Sequence, residues 1–329
     1  MDNQGKNEMT IQTKLTLVIL ALVVLCAASP LFAQQKGQYV PGQWGLNAGV
    51  TPDPGITYEE ITLNYSATQL NNASGGVVPG ITGTYSFWVV ENVLMYVPRY
   101  KILGGYFAPY VVLSAANGSL VADLGIPPKL SGNGGGEGFA DTYFQPLNFG
   151  WHLKRADFNA GFGFFAPTGR FTPGASNNVG SGYYGTDLTS NTTVYLTKNK
   201  ATQGSLSTIW ESHQQKSSTN IMPGQTFTLE YGIGQVLPLK KDLSRLLQVG
   251  VVGYDQWQVT RNQGATSGFP FYSVQAVGVQ TNFIMPAKSL TFFFKYYSEY
   301  AALARPQGRT FVFGGNHTFR IPKPEPKKQ

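Results

Sequence analysis

"LTFFFKYYSEYAAL", residues 290–303, places a lysine and a glutamate four residues apart inside one of the most aromatic stretches of the chain. A period of two puts Leu290, Phe292, Phe294, Tyr296, Ser298 and Tyr300 on one face and Thr291, Phe293, Lys295, Tyr297 and Glu299 on the other. Both charges share a face. A helix would scatter the aromatics around its circumference and leave no polar stripe, so the stretch reads as a strand with one apolar side and one wet side.

The alternation recurs. Phe227, Leu229, Tyr231 and Ile233 alternate with Thr226, Thr228, Glu230 and Gly232; Phe158, Ala160, Phe162 and Phe164 alternate with Asn159, Gly161, Gly163 and Phe165. Ile61, Leu63 and Tyr65 alternate with Glu60, Thr62, Asn64 and Ser66. In each set the apolar members are expected to face lipid and the polar members a lumen. Twelve strands are predicted near residues 56–67, 83–97, 105–117, 140–153, 156–167, 188–198, 203–214, 224–238, 246–260, 271–286, 288–302 and 307–320. Long glycine-rich connections such as "GSLVADLGIPPKLSGNGGGEGF" alternate with brief ones such as "LKRAD", "KNKATQ" and "MPAK". Outer-membrane barrels show that asymmetry, with short periplasmic turns and longer extracellular loops. An open sheet edge in hydrocarbon would leave backbone groups without partners, so the sheet must close. The fold class expected is all-β: a single closed antiparallel transmembrane β-barrel of about twelve strands over residues 56–321.

Composition agrees. Charged residues make up only 12% of the 329, against about 25% in ordinary globular chains, while Gly (39), Tyr (18) and Phe (21) are abundant. The net charge of +7 comes from bases scattered through predicted turns, among them Arg99, Lys154, Arg155, Lys240 and Lys241. That is solvated turn charge, and no nucleic-acid partner is expected. Lys14 precedes an apolar run from Leu15 to Ala28, and Ser29-Pro30 then leads to Ala33. Residues 1–33 are therefore expected to be a cleaved secretory signal peptide. The run is too short for a membrane-spanning helix, which needs about 20 residues. The sole cysteine, Cys26, falls in this leader, which leaves no disulfide framework, and Leu25 before it disfavours lipidation. Residues 34–55 are expected to be a periplasmic segment or a plug, and residues 322–329, "PKPEPKKQ", a periplasmic basic tail.

Residues 140–171, "ADTYFQPLNFGWHLKRADFNAGFGFFAPTGRF", resemble a family of bacterial outer-membrane proteins named for the meta-pathway of phenol degradation. "PRYKILGGYFAPYVV" (98–112), "PGQTFTLEYGIGQ" (223–235), "VGVVGYDQWQVT" (249–260) and the closing "ARPQGRTFVFGGNHTF" fit it in order. The resemblance implies a β-barrel that passes small, often aromatic or hydrophobic compounds across the outer membrane. It carries no binding residue over to this chain.

Glu60, Glu211, Glu230, Lys295 and Glu299 all fall on predicted inward faces. They read either as a constriction selecting solutes by charge and size or as a structural network of inward ion pairs. Facing lipid at the midplane, Lys295 would cost about 2–4 kcal/mol. Arg170 in "APTGRF" and Arg261 near Trp257 are rim candidates: Arg170 reads either as a contact for an anionic solute or lipopolysaccharide phosphate or as a solvated rim charge, and Arg261 suits the interface. Asp255 shares the outward parity of Val249, Val251 and Trp257, which a bulge or a position above the hydrocarbon would explain; Trp257 and Arg261 suit the interface and favour the second. His152, His213 and His317 lie in no nucleophile motif and have no metal-ligand spacing, so neither catalysis nor a cofactor or metal is expected. The reading is a passive channel exported to the outer membrane, with small solutes, lipid and lipopolysaccharide as partners. A lipid hydrolase and a barrel without transport are the alternatives.

Overall fold

The computed structural model describes residues 37–124 and 130–320, so the leader, residues 34–36 and the basic tail lie outside the described residues. Twelve long strands close into one antiparallel barrel: β1 (Gly55–Leu70), β2 (Ile81–Val97), β3 (Tyr110–Leu124), β4 (Thr142–His152), β5 (Ala156–Ala166), β6 (Gly185–Tyr195), β7 (Thr202–His213), β8 (Thr226–Pro238), β9 (Leu246–Gln258), β10 (Ser273–Met285), β11 (Leu290–Leu303) and β12 (Pro306–Arg320). Each strand pairs with its sequence neighbours, and β12 returns to β1, from Gly55 opposite Arg320 to Leu70 opposite Pro306. Closure removes every long edge, the requirement hydrocarbon imposes.

Eleven strands lie within a few residues of their sequence-predicted positions. The third does not: it runs over Tyr110–Leu124 rather than 105–117, because Pro109 has no N–H to continue a ladder. Gly105–Phe107 instead forms a small hairpin with Lys101–Ile102 and joins β4 at Tyr106 opposite Gly150. Beyond position 117 the chain remains extended and pairs with Leu130–Gly134, so part of the expected glycine-rich loop is a projecting hairpin. The β3–β4 seam has three paired positions, Tyr110–Val112 against Tyr143–Gln145, and Glu137–Phe139 continues it along Ala115–Asn117.

Short turns at residues 153–155, 196–201, 239–245 and 286–289 lie at the end where β1 starts and β12 stops. Loops at 71–80, 167–184, 214–225 and 259–272 lie at the other, although its last connection is only residues 304–305.

The interior has two characters. On the side of β1, β2 and β9–β12 it is an apolar core of Ile61, Leu63, Tyr65, Val93, Val252, Tyr254, Tyr297 and Val312. On the side of β4–β8 it is a polar network, in which Gln145 donates to Asn148 and Thr189, and Asn191 to Asn159. This division overturns the expected parity of β1. Ile61, Leu63 and Tyr65 are 8%, 2% and 3% exposed inside the barrel, while Ile56 and Tyr58, of opposite parity, are exposed outside. Glu60 therefore lies on the outer face, where Thr62 donates to it, and Glu59 takes the inward position. Alternation separates two faces without saying which one is inside, and here the inside is the apolar one.

Candidate functional site

The barrel is not empty. Residues 37–51 cross its interior from the loop end, where Gly37 lies against Glu211 and Thr226, to the turn end, where Thr51 lies against Gly150. This strap belongs to no ladder, so its backbone groups need other partners. Wall side chains supply them. Glu211 accepts from the N–H groups of Gln38 and Tyr39 at 2.8 and 3.0 Å. Glu230 accepts from the Tyr39 hydroxyl and from the N–H groups of Gly42 and Trp44 at 2.7 and 2.9 Å. Gln280, Ser205 and Thr193 accept from Leu46, Asn47 and Gly49 in turn. From β11, the Lys295 ammonium donates to the carbonyls of Gly42, Gln43 and Trp44. A carboxylate on β8 and an amine on β11 thus grip the same stretch of the strap, each bonding the backbone groups its charge suits.

Shape completes the fit. Leu46 is 5% exposed and sits in a socket whose floor is glycine: a Cβ on Gly232, Gly234 or Gly250 would come within 3.0, 2.8 or 2.9 Å of its methyl groups. The strap needs glycine too. Gly42 and Gly45 have φ of 102° and 104°, and a Cβ on Gly42 would press on the Tyr297 ring.

Four of the five expected lumen residues are inside. Glu211, Glu230, Lys295 and Glu299 are at most 5% exposed. They do not form one ring. Glu211, Glu230 and Lys295 hold the strap, whereas Glu299 accepts from Tyr65, Tyr254 and the Gly308 N–H and pairs with Arg305 at 3.2 Å. Sequence reading missed Arg305, whose position in a two-residue connection resembles exposed turn charge, and missed Glu59 and Glu91 on the inner wall. Arg170 and Arg261 are exposed in loop-end connections. Arg170 donates to the carbonyls of Asn177 in its own loop and Glu137 in the β3–β4 connection, tying the two together, and Arg261 lies 5.7 Å from the Phe271 ring centroid. Asp255 is in register with Leu229 and Gln275, with no bulge, and shares its face with Trp257. His152 bonds Asp157 at 2.8 Å; His213 has Nδ1 against the Gly224 carbonyl at 2.8 Å and Nε2 3.5 Å from Glu211. Among the described residues no three His, Cys, Asp or Glu side chains group as metal ligands.

Two cavities flank the strap. The loop-end cavity, about 250 Å³, is lined by Tyr65, Tyr85, Phe87, Glu299 and Arg305. The other, about 570 Å³, reaches the turn end and is lined by Glu59, Ile61, Val93, Phe293 and Lys295. Gln38, Tyr39, Glu91, Ser114 and Phe165 line both, so the two meet between the strap and the wall of β2, β3 and β5.

A closed twelve-stranded antiparallel barrel with an apolar, aromatic-rich outer face is a β-barrel of outer-membrane type. Residues 67–313 match the family described as "Putative MetA-pathway of phenol degradation", and the chain belongs to that family. Among solved structures, an outer membrane channel from Pseudomonas putida F1 is similar with a TM-score of 0.67 at 16% identity, over 86% of this chain and 100% of that one. The β domain of the Bordetella autotransporter BrkA is similar with a TM-score of 0.51 at 11% identity, over 81% of this chain and 100% of that one. No curated protein matches the chain.

Proposed function

We propose that this protein is an outer-membrane channel for small molecules, aromatic or hydrophobic compounds among them, and that the strap of residues 37–51 is its plug. The hydrogen bonding of the strap backbone to eight wall side chains carries the reading: Glu211, Glu230, Gln280, Ser205, Thr193, Lys295, Asn159 and Gln256 hold it along the lumen. Membership in a family named for phenol degradation and the channel fold of the Pseudomonas relative support it. An export leader at residues 1–33 fits the same destination, with membrane lipid and lipopolysaccharide around the outer wall.

Conductance in planar bilayers tests the reading. The refolded protein is expected to give small, brief currents, and a form lacking residues 37–51 larger and steadier ones. Glu230→Ala should fall between them. It strands three donors of the strap, each costing about 1–3 kcal/mol when left buried and unpaired. Correctly folded barrels that stay silent in all three forms would defeat the channel reading.

A further inference from the structure

The chain carries a net charge of +7, yet its interior is charged the other way. Among the described residues, seven carboxylates are buried, Glu91, Asp141, Asp157, Asp187, Glu211, Glu230 and Glu299, against three cations, Lys216, Lys295 and Arg305. The bases sit mainly on the turns and loops, and the acids line the lumen. In a low-dielectric barrel such a lining sets the sign of ion that enters.

Most of these acids are occupied. Glu211 and Glu230 hold the strap, and Glu299 has four donors. Asp141 accepts from the N–H groups of Gly169 and Ser181, and Asp157 bonds His152 and Tyr195. The turn-end cavity has Asp53 at its mouth, paired with Arg320 at 3.0 Å, and further in keeps three more acids on its wall, Glu59, Glu91 and Asp187. Glu91 lines both cavities where they meet and accepts from Gln43 of the strap at 3.2 Å. Asp187 is 2% exposed and its Oδ1 has no hydrogen-bond partner. No ion pair joins any of the three to a base among the described residues. The one amine on the same wall, Lys295, donates to the strap carbonyls, and its single charge faces Glu230, Glu59 and Glu91 together. Between the acids the lining is apolar, with Ile61, Val93, Val112, Ile209 and Phe293.

We propose that the passage beside the strap selects small apolar molecules bearing one positive charge, amines or quaternary ammonium compounds, and that Glu91 is its selecting residue. The inference rests on the channel reading and narrows it. An apolar body fits the Ile61, Val93 and Phe293 wall, and an ammonium group meets Glu59 and Asp187 on the turn-end side and Glu91 in the neck. A carboxylate or phenolate of the same size meets those acids and a single ammonium that they already outnumber.

Reversal potentials across a salt gradient test this in the protein and in Glu91→Gln, Glu91→Lys and Glu60→Gln, each with its folding checked by heat-dependent gel mobility. Currents carried by benzylammonium chloride and by sodium benzoate are then compared. The expected result is cation preference, cut several-fold by Glu91→Gln, inverted by Glu91→Lys and untouched by Glu60→Gln on the outer wall. Benzylammonium should pass faster than benzoate. Currents that favour anions, or a preference that survives Glu91→Gln, overturn the selection while leaving a channel. Silence in every form, including the strap deletion, removes the channel and the selection together.

Discussion

Lys216 shows how a single side chain can couple this barrel to pH. It lies in the loop between β7 and β8, 4% exposed, with its ammonium 5.7 Å from the Tyr183 ring centroid. Burial lowers its pKa from the ordinary 10.5 to about 7. Between those values the folded loop holds a neutral amine while the unfolded loop still binds a proton. Loop stability therefore rises with pH across that window and levels off below it, where both states are protonated. The thermal midpoint of the protein should climb from neutral to mildly alkaline pH, and Lys216→Met should flatten that slope. A slope unchanged in the variant would assign the effect to another group.

At the scale of elements, the strap and its socket give a steric test. Gly234 sits on β8 with the methyl groups of Leu46 where its own Cβ would be. Gly234→Val puts a branched side chain on the inward face and fills the socket, with the Val249 carbonyl of β9 3.2 Å from the new Cβ as a second, milder contact. The barrel should fold and the strap should be displaced, with single-channel current rising towards that of the deletion. Gly234→Val combined with Leu46→Ala should restore the smaller current if the clash is the cause. The strands themselves were legible in the sequence. On β11 the division into Lys295, Tyr297 and Glu299 inside and Phe292, Phe294 and Tyr296 outside is the one the structure shows. On β1 the same rule put Glu60 where Glu59 belongs, since a period of two carries no sign and the core beside β1 is apolar. The strap's grip was beyond reach for another reason: Lys295 and Gly42 are 253 residues apart, and no local pattern encodes a contact at that range. Glu230 and Lys295 could be recognised as inward charges, but not as the two halves of one clamp.

For the whole molecule, barrel and strap differ in how much each needs the other. The ladders run from β1 round to β12 without including residues 37–51, so the deletion should still form a barrel. It should not be as stable. Leu46 belongs to the same buried cluster as Leu63, Tyr254 and Val312, and burying one such side chain contributes about 1.5–3 kcal/mol. Removing the strap also strands the acceptors of Glu211 and Glu230 and the donors of Lys295. The unfolding midpoint of the deletion in detergent is expected several degrees below that of the intact protein, with strand content by circular dichroism unchanged. Loss of strand content would instead make the strap part of the folding core.

The strap is covalently joined to β1 by residues 52–54 alone, which makes it a ligand that the lumen can release but not lose. A short tether keeps such a ligand at an effective concentration in the millimolar range however dilute the protein. Escape from the socket then competes with an intramolecular return, so a solute opening this path works against a fixed local competitor. In the channel proposed here the strap should return after each passage, and the frequency of opening should follow how well a solute competes with residues 37–51 for the wall.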